Sequence, residues 1–100
     1  MKYEKNDIIK YLQSRKDYYR TNFNIVKIGI FGSYCRDAQT ENSDIDIIFE
    51  FGEKTIDIFD KKLELRKEIS EHFNANVDLC RERAIKSVFK DSILGEAIFV

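Results

Sequence analysis

Three aspartates carry the strongest chemical signal in this sequence. Asp44 and Asp46 stand two apart in SDIDIIFEF. On a strand, side chains alternate between faces, so both carboxylates would share one face while Ile45 and Ile47 turn to the buried one. Two carboxylates side by side repel, and each raises the pKa of the other. A divalent cation relieves that cost, and an all-oxygen ligand set favours magnesium or manganese over zinc. Asp78, in NVDLC, supplies a third acid. An acid between apolar residues in mid-strand is costly unless it is paired or bound to metal. If its strand lies beside that of Asp44 and Asp46, the three carboxylates could hold two metal ions about 4 Å apart. One ion would activate an attacking hydroxyl, and the other would hold a triphosphate and steady the leaving pyrophosphate.

A Gly-Ser pair precedes the aspartates, in GSYCRDAQTENSDID. Gly32 has no Cβ, so its backbone can turn sharply and approach a bulky anion. Ser33 is expected to open a short helix reaching about Ala38. The free N–H groups and positive dipole end of such a helix favour phosphate, and the hydroxyl adds a donor. Arg36 could reach a phosphate or a partner protein from the same loop.

The elements that must position these groups alternate helix and strand, as in an α/β or α+β layer architecture. A first helix is expected from about Asp7 to Tyr19, capped by Asn6, with Ile8, Ile9, Leu12 and Tyr19 on one face. Ile25–Phe31 reads as a strand ending at Gly32, and Ser43–Phe51 as a second. Phe59, Leu63, Arg66, Ile69 and Phe73 recur at three- and four-residue steps, which predicts a helix over Ile58–Phe73. Asn76–Cys80 reads as a third strand. A helix near Ala84–Leu94 and a short strand over Ala97–Val100 complete the pattern.

Composition sets the class. The 100 residues suit one compact domain, 43% of them hydrophobic and 35% charged, a globular balance. A net charge of −1 supplies no basic field for direct nucleic-acid binding. No apolar run approaches a membrane span, and MKYEKNDIIK lacks a signal-peptide stretch, so a cytoplasmic protein is expected. Cys35 and Cys80 fit no zinc spacing and read as packing residues. His72, the Lys61–Lys67 run, Arg81 and Arg83 read as surface groups. Tyr11, Tyr18 and Tyr19 read as packing aromatics.

The segment IFGSYCRDAQTENSDIDIIF resembles the signature of the minimal nucleotidyltransferases, the MNT group of the DNA polymerase beta-like superfamily. Relatives of this size often carry Gly-Ser-x-Ala-Arg-Gly. Here Arg36 matches, while Cys35 stands for the alanine and Asp37 for the glycine. The likeness extends over nearly the whole chain. It implies an α+β fold with a small mixed sheet flanked by helices, forming one minimal nucleotidyltransferase domain over residues 1–100. It implies triphosphate binding at Gly32 and Ser33, with catalytic metal ligands at Asp44, Asp46 and Asp78. It also implies ATP as donor, two Mg2+ ions, and adenylylation of a tyrosine on a HEPN-domain ribonuclease toxin, for which the chain would be the antitoxin. The alternatives are an antitoxin that masks its partner by contact alone, and a small-molecule nucleotidyltransferase. The last needs a further substrate-binding domain, for which 100 residues leave little room.

Overall fold

The computed structural model describes residues 3–100. Helix α1 (Lys5–Phe23) begins two residues earlier than Asn6 capping predicts: Glu4 is the cap, and its amide donates to the Asp7 carboxylate at 2.8 Å. An acid in the first turn also suits the positive end of the helix dipole. The helix buries Ile8, Leu12, Tyr19 and Phe23, and stops at Asn24, whose φ of 56° is a left-handed value that asparagine tolerates.

Four strands form one sheet in the order β3-β2-β1-β4: β1 (Ile25–Phe31), β2 (Ile45–Phe51), β3 (Val77–Arg81) and β4 (Ile98–Phe99). β1 runs antiparallel to β2 and β4, whereas β2 and β3 are parallel, joined by helix α2 (Ile58–Phe73). The mixed α+β sheet expected from the resemblance is therefore present. Alternation on β2 sends Ile45, Ile47, Phe49 and Phe51 into the core, where they meet α1 and the Leu65, Ile69 and Phe73 face of α2. Asp46, Ile48 and Glu50 take the opposite face. Tyr19 is fully buried, and the Tyr11 ring stacks on His72 with centroids 3.9 Å apart, so these aromatics do pack.

Two predicted helices differ. Residues 33–37 form a turn instead of a helix. Positive φ at Gly32 (76°) and Asp37 (55°) bends the chain back, and Ala38 N–H closes on the Ser33 carbonyl at 2.9 Å. The Ala84–Leu94 helix is two pieces: a single 3-10 turn at Glu82–Ala84, then α3 (Ser87–Glu96). The break falls at Ile85 and Lys86, both extended, with ψ of 126° and 141°.

Candidate active site

The register of the sheet brings the acids together. Asp46 pairs with Asp78 across the parallel β2–β3 ladder and with Phe31 across β1–β2. Phe31 precedes Gly32, so the Gly-Ser turn begins beside the Asp46 carboxylate. Asp44 lies one residue before β2, exposed, on a tight turn in which Thr40 N–H donates to the Ser43 hydroxyl at 2.8 Å. Asp78 is also exposed, and Asp46 is half-buried. Burial, then the nearby Asp78, Asp44 and Glu96 charges, push the Asp46 carboxyl up to about 6 against a smaller pull from Arg36. Burial is the larger cause, and repulsion between neighbouring carboxylates adds to it. Among the described residues, no three His, Cys, Asp or Glu side chains already converge into a metal-holding group.

Gly32 has a sharper reason than anion approach. A Cβ there would overlap the Asp46 carboxylate, and φ is 76°. Glycine thus lets the turn and the acid occupy adjacent space. Within the turn, the amides of Arg36, Asp37 and Ala38 donate to Gly32, Tyr34 and Ser33 carbonyls. The amides of Ser33, Tyr34 and Cys35 lie outside those bonds. Ser33 therefore offers a hydroxyl and turn amides, with no helix dipole behind them. Asp37 occupies a left-handed position where the related pattern has glycine, and its carboxylate turns to the Lys5 ammonium at 3.2 Å.

Arg36 does not stand free. Its Nη1 donates to Glu96 Oε2 at 2.9 Å, while Gly32 N–H donates to Glu96 Oε1 at 3.1 Å. Sequence reasoning passed over Glu96. An acid as the last residue of a helix opposes the helix dipole, which was a usable signal. The same holds for Glu50, an acid within the apolar run IIFEF and only 5% exposed. Arg81 grips it at 3.0 and 2.8 Å, and Arg83 N–H donates to it at 2.9 Å. Burial pushes the Glu50 carboxyl up, but donation from Arg83, Arg81 and Phe51 outweighs it and leaves the group below the usual range. The Arg81 side chain is thus structural, more than the plain surface group the sequence suggested, whereas Arg83 contributes its backbone amide and keeps an exposed side chain. Cys35 is also more than packing, since its thiol donates to the Glu96 carbonyl at 2.6 Å. A polar cavity of about 500 Å3 opens beside Asp44, lined by Asn42, Ser43, Ser70, Glu71 and Asn74 among others.

The Gly-Ser turn thus abuts Asp46 on β2, with Asp78 in register on β3 and Asp44 one residue before β2. The family model described as polymerase beta nucleotidyltransferase matches residues 6–100. The chain belongs to this family. Protein adenylyltransferase MntA of Thermococcus cleftensis is 33% identical to this nucleotidyltransferase chain over 94 residues, 94% of this chain and 93% of the relative. A solved toxin–antitoxin structure with AMP-PNP is 26% identical, with a TM-score of 0.66, covering 97% of this chain and 72% of that one. A structure of tri-AMPylated Shewanella oneidensis HEPN toxin in complex with MNT antitoxin, at 23% identity, covers 95% of this chain and 66% of that one, with a TM-score of 0.57. At that identity the last likeness concerns the fold. Among the described residues, no helix is long and apolar enough to cross a membrane.

Proposed function

We propose that this nucleotidyltransferase moves AMP from ATP to a hydroxyl of a partner protein, a tyrosine of a HEPN-type toxin, and so acts as its antitoxin. The observation that carries the reading is the Asp46–Asp78 register beside Gly32. It puts an acid cluster next to the turn whose amides and Ser33 hydroxyl suit a triphosphate. The named activity of the Thermococcus relative and the AMPylated toxin of the Shewanella complex supply the donor and acceptor classes.

In the reaction, the acceptor hydroxyl releases its proton to solvent and its oxygen bonds to the α-phosphorus as the bond to the bridging oxygen breaks and pyrophosphate leaves. Asp44, Asp46 and Asp78 would hold Mg2+, which when bound supplies charge neutralisation and an activated hydroxyl. The all-oxygen donor set and the raised Asp46 carboxyl fit such a cation. Gly32 and Ser33 would bind the triphosphate, with Arg36 near its outer oxygens. The chain's own contribution is positioning and fixed charge. The alternative, masking of the partner by contact alone, draws on Val88 and Phe89, which α3 leaves 77% and 55% exposed.

Calorimetry of ATP with and without magnesium tests the site. Mg2+ prefers to share its ligands between carboxylates and phosphates, so affinity should rise markedly when both are present. Equal ATP affinity in the two conditions would remove the acid cluster from nucleotide binding.

A further inference from the structure

Glu96 lies 64 residues from Gly32 in sequence, yet it touches three residues of the Gly-Ser turn. Its two carboxylate oxygens divide between the Gly32 amide, at 3.1 Å, and the Arg36 guanidinium, at 2.9 Å. Its backbone carbonyl accepts from the Cys35 thiol at 2.6 Å. The main chain around it is fixed on both sides. On the helix side, the N–H of the next residue, Ala97, closes the last turn of α3 on the Ile93 carbonyl at 3.0 Å. After it, Ile98 and Phe99 pair with Ile30 and Gly29 on β1. Gly29 is glycine at the point of closest approach, where a Cβ would overlap the Ile98 carbonyl. The C-terminal strand is therefore seated tightly, and it delivers Glu96 to the turn.

A carboxylate at a helix C-terminus faces the negative end of the dipole. Something must offset that, and the Gly32 and Arg36 donors do so. The charge-assisted bond also fixes the Arg36 side chain, which is 57% exposed, in one place.

We propose that Glu96 is a positioning residue of the nucleotide site. It fixes the Gly32–Arg36 turn, and with it Ser33 and the Arg36 guanidinium, in the arrangement that receives the triphosphate. This rests on the nucleotidyl-transfer reading above. A carboxylate that merely filled the site until phosphate arrived would have to leave. This one is held at both oxygens, and its backbone is tied between a helix and a strand.

The test is a double-mutant cycle on Mg·ATP affinity, with turnover and melting temperature measured on the same samples. Glu96→Ala should weaken affinity roughly three- to tenfold, a change of about one tenfold step or less on the free-energy scale. Glu96→Gln keeps one acceptor oxygen and should recover part of the loss. Arg36→Ala should weaken affinity by itself, and the double variant should lose less than the sum of the two single losses, whereas a fully additive loss would overturn the coupling. That pattern supports the proposal. Tighter binding by Glu96→Ala would overturn it and make Glu96 an occupant of the phosphate space. A lower melting temperature with unchanged affinity would overturn it in favour of a purely structural contact. Should the alanine variant fail to fold, Glu96→Gln carries the same comparison: weaker affinity supports positioning, and unchanged affinity overturns it. Absence of ATP binding by the unmodified chain would instead remove the nucleotide reading itself, and this role with it.

Discussion

Gly32→Ala probes the closest approach in the site. At φ 76° the alanine pays for a left-handed backbone, about 1–2 kcal/mol. Its Cβ would also overlap the Asp46 carboxylate, so that side chain or the turn must move, an overpacking cost of about 1–3 kcal/mol. The single variant should therefore lose about 2–5 kcal/mol. In an Asp46→Ala background the carboxylate is gone, and the contact left is the residue 46 Cβ at 3.1 Å, which a small shift relieves. There Gly32→Ala should lose only about 1–2 kcal/mol, the backbone part. Urea denaturation of the four proteins, at one pH above 7, gives the coupling directly. An equal cost in both backgrounds would refute the claim that the Asp46 carboxylate lies against Gly32, and with it the packing logic of the site.

Asp46→Asn tests the electrostatics. The folded carboxyl sits at about 6, above its ordinary value of 3.8, so ionisation opposes folding. That penalty is absent below about pH 4, develops between about 4 and 6, and is complete above 6. The asparagine variant should melt higher than the parent at pH 7.5 and lose that advantage by pH 4; a pH-independent difference would contradict this. Ser33→Ala removes one donor to a charged group, worth roughly 1.5–3 kcal/mol, so transfer efficiency should fall about ten- to a hundredfold. Unchanged ATP affinity would take Ser33 out of the site. Glu50→Ala strips the partner from Arg81 and Arg83 and should destabilise the fold by roughly 2–3 kcal/mol at pH 7 in denaturation experiments. Because the Glu50 carboxyl lies below its usual range, its stabilisation is present above about pH 4.5. The variant's deficit should therefore shrink in acid, and a deficit that grew there would contradict the pairing.

The sequence displayed the acid cluster because strand periodicity is a local rule. Asp46 needed only a strand beneath it, with Ile45 and Ile47 fully buried as alternation requires, whereas Asp44 falls one residue before β2, short of the strand expected from Ser43. Asp78 needed a parallel neighbour, which the helix between β2 and β3 makes available. The α2 helix, 16 residues long, was legible with its ends, but its buried face was not: Ile69 and Phe73 pack with Leu65, while Phe59, Leu63 and Arg66 of the same three- and four-residue series are exposed. The 33–37 turn was not, since its path depends on positive φ at Gly32 and Asp37, and a polar stretch carries no periodicity. The helix start was misplaced because the Glu4 amide finds the Asp7 carboxylate, a pairing that competes with Asn6 capping. Glu96 and Glu50 were missed for another reason. Each acts through a distant partner, Gly32 and Arg36 for one and Arg81 and Arg83 for the other, which no local pattern reveals.

Transfer of label measures directly whether AMP moves from ATP to a protein hydroxyl. The chain is incubated with α-labelled ATP, magnesium and a co-purified HEPN-type partner, beside an Asp46→Ala variant that still forms the complex. The account predicts label on a partner tyrosine with the parent chain and none with the variant. Label retained by Asp46→Ala would contradict the acid cluster as the catalytic centre. A partner neutralised by both proteins with no label on either would contradict adenylyl transfer and leave masking as the mechanism.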